Sequence, residues 1–91
     1  MRYIQNEVMY ERVDDIGYII REVDGVPYLD GVISLNEVAA DVWEFLKLER
    51  ERQEIEEHIC AMYDITPDVV SKDIDDILKT MLEQQIIRTI V

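Results

Sequence analysis

Gly31-Val-Ile-Ser-Leu-Asn-Glu-Val-Ala-Ala-Asp-Val-Trp-Glu-Phe-Leu46 is the stretch in which the grammar of this chain changes. Its first residues belong to a run of β-branched and turn-forming residues. From Ser34 onward the apolar residues recur at helical steps. Ser34 and Glu37 stand three apart just ahead of Val38, Ala39, Val42, Trp43 and Leu46. That is the spacing of a capping box, with the hydroxyl capping the first turn and the carboxylate reaching back. The pattern predicts a first helix over about Leu35 to Leu48, with Trp43 in the core and Phe45 half exposed.

Toward the N-terminus the chain is rich in Val, Ile and Tyr. It is punctuated by Asp-Asp-Ile-Gly at 14–17, by Asp24-Gly25 and by Asp30-Gly31, the marks of short strands and tight turns. In Gly17 to Val23, Tyr18, Ile20 and Glu22 point one way while Ile19, Arg21 and Val23 point the other, so one sheet face is wet and one covered. Pro27 has no N–H for a ladder, which makes Val26 to Asp30 a sheet edge or a strand start, and the two nearby Asp-Gly pairs leave its register open. Val8 to Val13 reads as an additional strand that pairs with the sheet or exchanges between two chains.

Toward the C-terminus, Ile55, Ile59, Met62 and Tyr63 form an apolar stripe under a charge-dense face, predicting a second helix that ends near Tyr63-Asp64. Thr66 followed by Pro67 and Asp68 supplies a cap, a proline at the first helical position and an acid suited to the helix dipole. The third helix carries Val70, Ile74, Ile77, Leu78 and Met81 on one stripe. The β-branched tail from Ile86 to Val91 reads as a piece that pairs with the sheet. The expectation is one α+β domain over residues 1–91, winged-helix-like, with a small antiparallel sheet of about three strands followed by a three-helix bundle.

The 91 residues carry 9 Lys plus Arg against 21 Asp plus Glu, a net charge of −12. Such a field repels phosphate backbones and anionic lipid, so neither nucleic acid nor membrane is an expected partner. A chain of this length buries about 60 to 65% of its unfolded surface, enough for one core but not for a deep cavity as well, which directs function to a face or groove. The single Cys60 excludes an internal disulfide, and Met1 to Glu7 lacks the apolar stretch of a signal peptide, so the cytoplasm is the expected compartment.

The residues give no support for catalysis. His58 is the only histidine, so Glu56-Glu57-His58 lacks the second imidazole of a zinc helix, and neither His58 nor Cys60 has partners at a ligand spacing. His58 reads as a surface residue beside a small buried thiol. Ser34 has no base near it in sequence. The pairs Asp14-Asp15 and Asp75-Asp76 lack the spacing of a calcium loop and read as solvated charge. No glycine-rich phosphate cradle occurs. The expectation is a non-enzyme with no metal and no cofactor.

The run from Gly17 to Gly25, then Gly31 to Leu46, closely resembles the coenzyme PQQ synthesis protein D (PqqD) family. Tyr63-Asp-Ile-Thr-Pro-Asp68 is similar to that family's link into its third helix. Asp73-Ile-Asp-Asp-Ile-Leu78 with Met81-Leu82, followed by Ile86-Ile87, resembles its aspartate-plus-aliphatic pattern. The resemblance covers roughly Gly17 to the C-terminus, and Leu35-Asn36-Glu37 joined to Trp43 is its most specific part. Residues 1–16 precede it. The segment between Asp24 and Gly31 is shorter than is usual in the family, and Lys47-Leu48-Glu49-Arg50 replaces the glycine common between the first two helices.

The resemblance implies a recognition element that binds the leader of a ribosomally made precursor peptide and presents it to a modifying enzyme, often a radical S-adenosylmethionine enzyme. It implies that the leader adds as an antiparallel strand along Gly31 to Leu35 and packs against the helix from Asp68 to Gln84. The strand-side candidates are therefore Gly31, Val32, Ile33, Ser34 and Leu35. The helix-side candidates are Ile74, Ile77 and Met81 as an apolar wall, with Lys72, Asp73 and Asp76 at its rim. Ile74 and Ile77 are equally readable as core, whereas the adaptable thioether of Met81 suits a surface that accepts a guest. Two other functions fit the order of elements, a winged-helix transcription regulator and a non-catalytic subunit that forms a homodimer.

Overall fold

The computed structural model describes the backbone of residues 1–23 and 26–91 and the side chains of residues 1–21 and 31–91. The expected Asp24-Gly25 turn lies outside the described residues. The elements run β1 (Arg2–Gln5), β2 (Met9–Val13), β3 (Ile16–Val23), β4 (Val26–Leu35), α1 (Glu37–Phe45), β5 (Arg50–Glu51), α2 (Arg52–Tyr63), α3 (Pro67–Glu83) and β6 (Ile87–Ile90). The domain is α+β, with three helices and antiparallel strands. The strands form two sheets of three, ordered β5-β1-β6 and β2-β3-β4.

The division into two sheets arises just after β1. Gln5 N–H donates to Leu46 O at 2.9 Å and Asn6 N–H to Ile86 O at 3.0 Å, so the chain leaves its strand partners for helix and loop carbonyls before β2 begins. The expected strand over Val8 to Val13 is β2, paired with β3 in the same chain. β1 was not foreseen. The C-terminal tail does pair with a sheet, but its partner is β1, in the register Arg2↔Ile90 to Gln5↔Ile87.

In the hairpin of β2 and β3, Val13 pairs with Ile16 across Asp14-Asp15, and Asp14 takes the left-handed backbone (φ 54°) that a two-residue turn requires. Between β3 and β4 the register shifts: Ile20 faces Val32 while Glu22 faces Pro27, so two steps along β3 match five along β4. The extra residues of β4 are absorbed there. Asp30-Gly31 accordingly lies within a strand rather than forming the expected turn.

The caps correct the sequence reading at α1. Asn36, not Ser34, is the N-cap, with its Oδ1 accepting from Ala39 N–H at 2.9 Å. Pairing of Ser34 with Tyr18 and of Leu35 with Gly17 holds both residues extended, so the helix starts two residues late. α1 also ends at Phe45. α2 starts at Arg52, because Arg50 and Glu51 pair with β1, and it closes on a left-handed Asp64 (φ 53°). α3 begins at Pro67 as read, although Thr66 makes no side-chain cap bond.

All three helices and both sheets contribute to one core. Ile19, Ala40, Val42, Leu46, Ile55, Ile59, Ile74 and Ile86 are fully buried, and Trp43 sits among them with its indole N–H donating to Ile86 O at 3.2 Å. Cys60 is only partly buried, and His58 stacks on Phe45 with ring centroids 3.9 Å apart. Across β3, the Tyr10 ring lies 4.4 Å from the Trp43 ring, passing directly over Gly17. Any Cβ at Gly17 would stand 2.8 Å from Tyr10 Cε1 and 3.1 Å from the Cβ of Ala40.

A polar network closes one side of this core. The buried Asp41 accepts from Arg12 Nη1 at 2.7 Å and from the Tyr63 hydroxyl. Arg12 also reaches Glu44 at 3.0 Å, and Glu44 accepts from the Tyr10 hydroxyl. β2, α1 and the end of α2 are thereby joined through two carboxylates. Burial, reinforced by the adjacent carboxylates, raises both phenols above their usual range.

Two outcomes follow from this packing. Gly17→Ala should destabilise the fold by about 1–3 kcal/mol, because Tyr10 must leave its seat on Trp43; unchanged chemical denaturation would show that the ring moves aside freely. The tyrosines prefer to be neutral when folded, so the stability they add is intact below the ordinary phenol pKa of about 10 and is lost as pH climbs through their raised folded values. Denaturation midpoints above that pH should fall less steeply for Tyr63→Phe than for the unaltered chain.

Candidate functional site

β4 is an edge strand. β3 covers one side of it, and among the described residues no strand pairs with the other. Alternate N–H and C=O groups of an antiparallel edge strand point outward, forming a ready template for another extended chain. The N-terminal segment does not fill this position, since β2 pairs with β3 on its far side and β1 lies between β5 and β6.

A groove of about 270 Å³ opens between the end of β4 and α3. Ile33 and Leu35 enter it from the strand and Ala39 from α1, while Ile77 and Met81 form the facing wall. Asp76, Thr80 and Gln84 make the polar rim on α3, and Ser34 and Asn36 the rim on the strand side. The register explains the strand contribution. Ile33 and Leu35 pair with Ile19 and Gly17, both buried on the core face, while Val32 and Ser34 alternate onto the outer face. Val32 there is 44% exposed, in one cross-strand row with Ile20 and Met9.

The structure thus brings Ile33, Ser34, Leu35, Asp76, Ile77 and Met81 together around one groove. Gly31 and Val32 belong to the same strand but do not line it. Ile74, expected in the wall, is fully buried in the core with Val70 and Leu78. Lys72 and Asp73 are exposed one helical turn before Asp76 and Ile77, beyond the groove. Met81 is almost wholly buried, yet it forms part of the wall. Asn36, Ala39, Thr80 and Gln84 were not foreseen. Thr80 and Gln84 follow Asp76 at four-residue steps, so a search for a polar stripe beside Ile77 and Met81 would have found them.

The electrostatics of α3 are acidic. Asp68, Asp73, Asp75, Asp76 and Glu83 stand against Lys72 and Lys79. Asp75 is engaged with Arg52 Nε at 2.6 Å, which ties α3 to α2, whereas Asp76 faces the groove. Among the described residues no cluster of His, Cys, Asp and Glu could hold a metal ion, and no helix is long and apolar enough to cross a membrane. What the groove offers is a row of main-chain hydrogen-bonding groups beside an apolar wall.

The class defined by this fold is a winged-helix-like α+β domain with an uncovered sheet edge next to an amphipathic helix. The chain belongs to the coenzyme PQQ synthesis protein D (PqqD) family, whose model matches residues 26–87 and so takes in β4, all three helices and the start of β6. A solved structure of TbiB1 in complex with the TbiA(beta) leader peptide has a similar fold, with a TM-score of 0.73 and 22% identity, over 97% of this chain and 96% of that one. No curated protein matches the sequence.

Proposed function

We propose that this chain captures the leader segment of a ribosomally made precursor peptide by strand addition to β4 and presents it to a modifying enzyme, of the radical S-adenosylmethionine type. The observation that carries this reading is the uncovered edge of β4 bordered by an apolar groove. A guest strand gains main-chain hydrogen bonds from the edge, and its alternate side chains turn toward Ile77 and Met81. Asp76 at the rim favours a guest carrying Lys or Arg nearby. Membership of the PqqD family and the likeness to TbiB1, a protein captured with a leader peptide, support the same reading.

The alternatives fare less well. A groove-reading helix needs a basic rim, and α3 is acidic. A dimer built on the aliphatic tail would need that tail free, but Ile86 and Ile87 are buried in the core of this chain.

Titrating the isotopically labelled chain with the leader of a precursor encoded beside its gene should shift the amides of Ile33 to Leu35 and of Ile77 to Gln84. Ile77→Glu, checked for folding by circular dichroism, should weaken binding at least about tenfold by setting a charge against the apolar guest surface. Saturation with shifts confined to β1 and β6 would refute strand addition to β4.

A further inference from the structure

Four of the chain's nine basic residues form ion pairs among the described residues. Arg2, Arg12, Arg50 and Arg52 each hold a carboxylate. Of the others, Arg21, Lys47 and Arg88 converge from β3, the segment after α1, and β6 on one open cleft between the two sheets, of about 1070 Å³. Among the described residues none of the three has a carboxylate within ion-pair distance, although the exposed Glu7 also lines the cleft. Three cations thus share one cleft in a chain of net charge −12.

Neutral groups hold the two guanidinium groups in place. Arg21 sits at the register shift of β3, and its Nη2 donates to Gln84 O at the end of α3. Arg88 Nη1 donates to Gln5 O and to Asn6 Oδ1, each at 3.0 Å. A carbonyl orients a guanidinium without cancelling its charge, and each fork keeps further N–H donors. Arginines pre-organised in this way suit carboxylate groups, which they can take bidentately. The cleft also adjoins the groove beside β4. Gln84 lines the groove, Gln85 lines the cleft, and Arg21 is anchored to the carbonyl between them.

We infer that this cleft receives an acidic stretch of the same precursor peptide, the Asp- or Glu-bearing segment next to the strand that pairs with β4. The inference rests on the leader-binding reading above. It divides the guest into a strand read by β4 and α3 and an acidic arm read by Arg21, Lys47 and Arg88, with the local positive field of the cleft overriding the distant negative charge at physiological ionic strength.

The test uses the full labelled chain and two probes, hexaglutamate and hexalysine. Hexaglutamate should shift the side-chain N–H signals of Arg21 and Arg88 and the side-chain amides of Asn6 and Gln85, and the shifts should fade as NaCl is raised. Lys47→Glu, which removes no hydrogen bond of the fold, should weaken hexaglutamate about tenfold. Absence of these shifts, or the same shifts with hexalysine, would overturn the inference. In a second arm, the precursor leader is compared with a version whose Asp and Glu beside the strand are changed to Asn and Gln. The unaltered chain should bind that version about tenfold more weakly, and Lys47→Glu should bind the two alike. Normal β4 shifts with no difference between the two leaders would overturn the acidic arm alone. Hexaglutamate in the cleft with neither leader shifting β4 would instead refute the strand-addition reading.

Discussion

The capture of the N-terminal segment away from β4 is the constraint on which the rest of this structure depends. Left loose, an extended stretch such as Arg2–Gln5 or Met9–Val13 would be a natural partner for the open edge of its own chain. Both strands are instead paired elsewhere, and four hydrogen bonds at Gln5 and Asn6 reinforce that placement. Gln5 and Asn6 donate through their backbones to Leu46 and Ile86, Gln5 Nε2 donates to Trp43 O at 2.9 Å, and Asn6 Nδ2 donates to Gln85 O at 2.7 Å. The recipients are the end of α1 and the segment between α3 and β6. Trp43 ties those two places together through its indole N–H to Ile86, so the first strand is fixed to a site the core has already made rigid.

Charge is distributed on the same plan. Two arginines hold elements together through carboxylates. Arg12 with Asp41 and Glu44 joins β2 to α1, and Arg52 with Glu56 and Asp75 joins α2 to α3. Asp41 is buried and would be costly without its partners, so Arg12 and the Tyr63 hydroxyl are needed to keep it there. At the cleft Arg21 and Arg88 are held by carbonyls and an amide oxygen instead.

The sequence revealed the elements whose signals are local and obscured those that depend on competition between elements. The periodicity of Val70, Ile74, Leu78 and Met81 marked α3 and its proline start, and the core position of Trp43 followed from its place in the stripe. Ser34 misled because two capping patterns overlap. Its hydroxyl and the amide of Asn36 are both suitable caps, and the long-range pairing of Leu35 with Gly17 decides between them. β1 and β5 are short and gain their strand character only by pairing with partners far along the chain. The groove was half legible. The stripe containing Ile74 and Ile77 was clear, but helical periodicity alone does not say that the first turns inward to the core while the second meets β4. That depends on where the strand edge crosses the helix.

A strand edge is blind to sequence, because every residue but proline offers it the same main-chain groups. Discrimination by β4 must therefore come from what lies beside it. The groove supplies little volume, with Ile77 and Met81 as its wall on α3, Ile33, Leu35 and Ala39 opposite them, and Asp76 as a single charge at the rim. One small apolar contact distinguishes related side chains by about 1–3 kcal/mol, too little to single out one peptide among many extended ones. On the proposed reading, recognition with useful selectivity would require a second contact at a fixed distance along the same peptide, so that the strand sets the register and the second contact checks it. Gln84 and Gln85 place the groove and the cationic cleft on either side of one turn, with Arg21 bridging them. On the proposed reading, two weak contacts so close together would act on one peptide as a single site, since binding at the first raises the effective concentration at the second.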